Sequence, residues 1–134
     1  MDKMYAKKLA GVALLSLASV SAFAQADGTA CAGTGGTTAI NGGKGATNPS
    51  ATNFFQMGFD VQCSQNTFVY YSEQSASLFA VAGASAKGNG VFVASTAGGS
   101  PKQDTAIKCS GPNESCLAAD AKTGLDNAKK IGNP

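Results

Sequence analysis

Phe55, Met57, Phe59, Val61 and Cys63 alternate strictly with Gln56, Gly58, Asp60, Gln62 and Ser64. A period of two held this long predicts a strand with one buried and one wet face, with Cys63 on the core side. Ser64-Gln65-Asn66 reads as a turn. The β-branched and aromatic run Thr67-Phe68-Val69-Tyr70-Tyr71 reads as a second strand. Ser77–Ser85 (SLFAVAGAS) is a third, and its small residues Ala80, Ala82, Gly83 and Ala84 predict close packing against another element. Lys87-Gly88-Asn89-Gly90 is a hairpin signal, because Gly and Asn accept positive φ. It leads into a fourth strand, Val91-Phe92-Val93-Ala94. Ala97-Gly98-Gly99-Ser100-Pro101 breaks the chain, and Thr105–Cys109 reads as a short fifth strand.

From Ser115 the period changes. Leu117, Ala121, Leu125, Ala128 and Ile131 recur at helical spacing and predict a helix over 115–131. Ser115 suits its cap, Lys129 and Lys130 its last turn, and Gly132 its stop. Gly124 inside it would cost about 1 kcal/mol relative to Ala, and Thr123 offers a cap for a second, shorter helix. Residues 25–53 are unlike either pattern. Gly, Thr, Ala and Asn dominate, and Ile40 is the single large apolar residue. Such a segment predicts a flexible, loop-like arm with at most a short strand at Thr37–Ile40. The expected architecture is mainly β (α+β). It is an antiparallel meander of four to five strands with a C-terminal helix, in one small domain over 54–134.

The first 24 residues read as a secretory signal. Lys3, Lys7 and Lys8 precede an uncharged run from Leu9, and Ala22-Phe23-Ala24 fits the small-x-small cleavage rule. Cleavage after Ala26 is the alternative. The apolar stretch is shorter than the roughly 20 residues a bilayer core needs. Gly28-Thr29-Ala30 before Cys31 does not fit a lipoprotein signal, and no Glu follows Gly11 as a type IV pilin requires. The leader has a bacterial look, and the expected location is secreted, extracellular or cell-surface, with the periplasm as the alternative. Removing the leader leaves seven Lys against seven acids, a net charge of zero. A neutral surface offers no long-range field to nucleic acid or anionic lipid, and it lacks the self-repulsion that keeps molecules apart.

Cys31, Cys63, Cys109 and Cys116 all follow the leader, and an even count in an exported chain predicts disulfides. Cys109 and Cys116 flank the turn-rich Ser-Gly-Pro-Asn-Glu-Ser, which favours pairing them with each other and Cys31 with Cys63. A zinc site is disfavoured, since there is no Cys-x-x-Cys and no His.

The chain also has no Arg and no Trp. Without His, the serine triad, the Cys-His pair and the imidazole shuttle are closed to it. Asn41–Thr47 resembles a phosphate loop only superficially, because Lys44 is followed by Gly45 rather than Ser or Thr. Asp60 and Glu73 read as solvated surface charges. No enzyme, metal or cofactor is expected. The uncharged segments TFVYY, LFAVA and VFVA contain no Pro, and at a sheet edge they would pair with another chain. The candidate assembly residues are therefore Phe68, Tyr70, Tyr71, Leu78, Phe79, Val91, Phe92 and Val93. The expected function is an exported structural protein that self-associates through strands into a filament, surface layer or matrix. The alternative is a monomeric binding module for a glycan or protein ligand, using the same aromatics.

Overall fold

The computed structural model describes residues 26–47 and 53–131. The leader lies outside the described residues. Five strands run in sequence order as an antiparallel meander: β1 (Ala26–Ile40), β2 (Phe59–Glu73), β3 (Phe79–Ser85), β4 (Val91–Ser95) and β5 (Lys102–Gln103). A helix, α1 (Ala118–Lys129), packs on one face of the sheet. The expected class, mainly β with one C-terminal helix and two disulfides, is what the chain forms. Both disulfides join the expected partners, Cys31 with Cys63 and Cys109 with Cys116.

Two strands differ from the reading of the sequence. The segment expected to be a flexible arm is, over Ala26–Ile40, the longest strand together with β2. Its pairing runs from Ala26 opposite Glu73 to Ile40 opposite Phe59, with register shifts between Thr29 and Cys31 and between Ala32 and Thr34. Backbone hydrogen bonds to β2 hold it, and these need no apolar side chains. Ser64-Gln65-Asn66 does not reverse the chain. Asn66 takes a positive φ of 64° inside β2, and the strand continues through it. A third correction concerns the fifth strand. It is only Lys102–Gln103, and 105–109 is irregular.

β2 has two halves. Residues 68–73 pair with both β1 and β3, whereas 59–65 pair with β1 alone. A straight strand of this length would hold its ends about 45 Å apart. Instead, Asn41, next to the residue paired with Phe59, donates its Nδ2–H to Glu73 at the other end of β2 (2.8 Å). Phe55 touches both Phe59 and Phe79, with ring centroids 4.8 and 4.9 Å away. The distal β1–β2 ribbon is therefore bent back over the face opposite α1. Asn66 and the positive-φ glycines Gly33, Gly35 and Gly36 lie at the bend. The Cys31–Cys63 disulfide ties the two sides of the bend together, with Cα atoms 5.6 Å apart.

The main core lies between the sheet and α1. Tyr70, Ala80, Ala82, Ala84, Val91 and Val93 meet Cys116, Ala121, Leu125 and Ala128. Alternating alanines on β3 face the helix, which is why it sits close. Gly124 is part of that fit and does not break the helix. An added Cβ there would lie 2.5 Å from Val91 Cγ1 and 3.2 Å from Ala82 Cβ. Gly124→Ala gains about 1 kcal/mol of helix propensity, but overpacking costs about 1–3 kcal/mol. The expected result is a lowered melting temperature, the reverse of the same substitution on an exposed helix face. Thermal denaturation followed by circular dichroism measures it.

Ser115 is not the helix cap. It ends a short 3-10 turn at Pro112–Glu114, and α1 begins after Leu117. Asp120 does the capping. Its Oδ2 accepts the Leu117 N–H (2.7 Å) and the Ser110 N–H (3.0 Å), and its Oδ1 accepts the Ser110 hydroxyl (2.8 Å).

Candidate functional site

The eight residues singled out for assembly do not form one surface. Tyr70, Val91 and Val93 are buried under α1, where apolar strand residues meet the Ala-rich helix face. Phe68 packs against the same core. Leu78 is half-buried at the β2–β3 turn, where its N–H bonds back to Ser75. Tyr71 and Phe79 point to the opposite face and stack on each other, with centroids 6.0 Å apart. The bent-back ribbon and Phe54 and Phe55 cover them. Phe92 remains, and it is 54% exposed.

The strand segments TFVYY, LFAVA and VFVA lie in β2, β3 and β4 and are all interior to the sheet order. They are not edges. The outermost strands are β1 and β5, which differ in kind, and in the distal ribbon the 59–65 half of β2 is a further edge, since it pairs with β1 alone. β5 pairs with β4 at only two positions, carries Lys102 and follows Pro101, so it is short and blunted. β1 is 15 residues long. It contains no Lys and no Pro, and its one charge is Asp27 at the start. Among the described residues, no backbone hydrogen bond reaches the outer side of β1 between Asp27 and Ala39. A bulge at Ala30 interrupts that edge, and the second register shift, opposite Gly33, has its extra residue on β2 at Asn66–Thr67. Residues 36–40 are paired to 59–63 without a break. The sequence reads this segment as a flexible arm able to add a strand to a neighbour, and not as a strand of its own sheet, because Gly, Thr and Ala give no hydrophobic signal. The signal that was present is the absence of Lys and Pro over a Thr-rich stretch.

The charged groups are placed structurally. Glu73 is not a solvated surface charge; it is 4% exposed. Its carboxylate accepts Asn41 Nδ2–H (2.8 Å) and the Phe55 N–H (3.1 Å), so it holds both ends of the bent ribbon to the sheet. Burial, and then the charge of Glu73, raise the pKa of the neighbouring Tyr71 phenol. Asp60 is exposed, as expected, and accepts the Lys44 N–H (3.3 Å). Lys129 bonds to Asp27 and lies 3.5 Å from Asp126. Burial alone would lower its pKa, but the two carboxylates more than reverse that and raise it. This pair fastens α1 to the start of β1.

Among the described residues, no three of His, Cys, Asp and Glu come together in a group able to hold a metal ion. No described helix is long and apolar enough to cross a membrane. The arrangement offers two surfaces with unspent binding capacity: the backbone edge of β1 and the groove around Phe92. No protein-family model, curated protein or solved structure matches this chain.

Proposed function

We propose that this is an exported, extracellular structural protein that self-associates through its strands. The observation that carries the reading is the inequality of the two sheet edges. One is two residues long and guarded by Pro101 and Lys102; the other is 15 residues long, carries no Lys or Pro, and beyond its two register shifts runs unbroken over 36–40. An unguarded edge presents a row of N–H and C=O groups, and an identical strand from a second copy satisfies them. Thr-rich residues 36–40 suit such pairing, since β-branched residues fit a pleated surface. Two disulfides in a small domain fit an oxidising compartment. The zero net charge left after leader removal places little electrostatic barrier between copies.

The test is Thr37→Lys with Ala39→Lys. Both side chains are exposed, so the intrachain sheet tolerates them. Natively secreted, oxidised protein at neutral pH is expected to show high-mass, concentration-dependent species by light scattering and regular particles or fibres by electron microscopy. The double variant is expected to remain monomeric with unchanged circular dichroism. A monodisperse monomer at high concentration, or a double variant that assembles as well as the parent, overturns the proposal.

A further inference from the structure

Phe92 is a large aromatic on the open part of the sheet face opposite α1, and it has no aromatic neighbour among the described residues. It stands in a cross-strand row with Gln103 on one side and Gly83 on the other, and Gly83 is followed by Val69. Packing does not require a glycine at 83. An added Cβ would meet nothing closer than the Phe68 carbonyl oxygen at 3.5 Å and Val69 Cγ2 at 3.7 Å. Its φ lies outside the left-handed region as well. The missing side chain instead leaves a bare floor beside the Phe92 ring.

That floor belongs to a groove of about 380 Å³, at the low end of small-molecule sites. Thr67, Ser85, Asn89 and Gln103 line it with hydroxyls and amides, and no ionisable side chain does. The side chains of Thr67, Asn89 and Gln103 make no hydrogen bond to any other described residue. The groove thus combines an exposed ring, a flat floor and uncommitted neutral donors and acceptors. The ligand that matches it is uncharged, has an apolar face for the ring and carries hydroxyls around its rim. Those are the properties of a pyranose sugar.

We infer that the Phe92 groove binds a neutral carbohydrate, with one sugar ring stacked on Phe92 and its hydroxyls bonded by Asn89 and Gln103. This site is independent of the β1 edge, so it stands whether or not the protein self-associates. The absence of charge in the groove favours neutral sugars over uronic acids and phosphosugars, because an anion there would find no charged partner among the groove's lining residues.

Saturation-transfer NMR on the whole oxidised protein tests it, with cellotriose and N,N′,N″-triacetylchitotriose as neutral probes and tri-galacturonate as the charged control. Transfer to the ring C–H protons of at least one neutral trisaccharide is expected, and none to the control. Phe92→Ala removes an exposed side chain and is expected to weaken binding about tenfold or more at unchanged melting temperature. Gly83→Val has room to fold and is expected to abolish transfer by filling the floor, whereas Phe92→Trp preserves it. No transfer from either neutral sugar at millimolar concentration overturns the inference. So does transfer that survives Phe92→Ala and Gly83→Val. A Phe92→Ala protein whose only change is its oligomeric mass also overturns it, assigning the ring to a subunit contact.

Discussion

Replacing Cys31 and Cys63 together by Ser is expected to lower the unfolding free energy by about 3–4 kcal/mol, the largest loss any local change here should produce. The two residues are 32 apart in sequence, and the cross-link removes that loop's freedom from the unfolded chain. Geometry adds to the effect. β1 and β2 bend back over the sheet, without a break in either strand, near Asn66 and the positive-φ glycines Gly33, Gly35 and Gly36. Cys31 and Cys63 are not register partners; Cys31 sits opposite Val69 on one side of the bend, and Cys63 sits opposite Gly36 on the other. The disulfide is thus the covalent tie across a fold-back otherwise held by Glu73 and the Phe54–Phe55–Phe59–Phe79 rings. Urea denaturation gives the free energy. Limited proteolysis of the variant is expected to cut first within 33–40. The Cys109/Cys116 pair closes a much shorter loop, seven apart, and its removal should cost only about 2–3 kcal/mol. Equal losses from the two double variants would contradict the fold-back account.

The second large effect is at Asp120. Asp120→Ala leaves the Ser110 N–H, the Ser110 hydroxyl and the Leu117 N–H without their acceptor and uncaps α1. The expected cost is about 2–3 kcal/mol, since bonds to a charged acceptor are the stronger kind. Asp120→Asn should cost about 1 kcal/mol, because an amide oxygen can still take both N–H groups and the Ser110 hydroxyl can turn to accept. The pH dependence follows from the same bonds. Burial would raise the Asp120 pKa, but the three hydrogen bonds outweigh it, and the folded value lies below the ordinary 3.8. A lowered folded pKa means the stabilisation is fully present above 3.8 and is lost as pH falls through the folded value. The parent should therefore lose stability below about pH 4 more steeply than Asp120→Asn does. Parallel acid limbs for the two would contradict this assignment.

Much of the sheet was legible because β2, β3 and β4 bury one face each. TFVYY, SLFAVAGAS and VFVA carry that burial in apolar side chains, and the Lys87–Gly90 turn punctuates them. The alanines of β3 announced a close neighbour, and α1 with Gly124 is that neighbour. β1 was not legible for the opposite reason. Its place is set by backbone bonds and by one disulfide, and neither leaves a hydrophobic period. The Phe55–Cys63 alternation misled at its start. Met57 is 61% exposed, because residues before Phe59 lie outside the strand and Met57 pairs only with Thr47 in an isolated bridge. At Asn66 a positive φ was read as a reversal, when it bends a continuing strand. Glu73 was misplaced because its partner Asn41 arrives only through the bend, 32 residues away. The candidate site suffered most. The apolar segments marked as edges became interior, and the long edge is a Gly-, Thr- and Ala-rich strand with one large apolar residue, Ile40.

Under the proposed function, copies meet at the outer edge of β1. Hydrogen exchange of the natively oxidised protein, read at peptide resolution across a hundredfold range of concentration, addresses it directly. Amides in 34–40 are expected to gain protection as concentration rises, while β3, already paired on both sides, stays constant. Protection of 34–40 that does not change with concentration, in a protein whose mass does grow, would place the contact elsewhere and contradict the account.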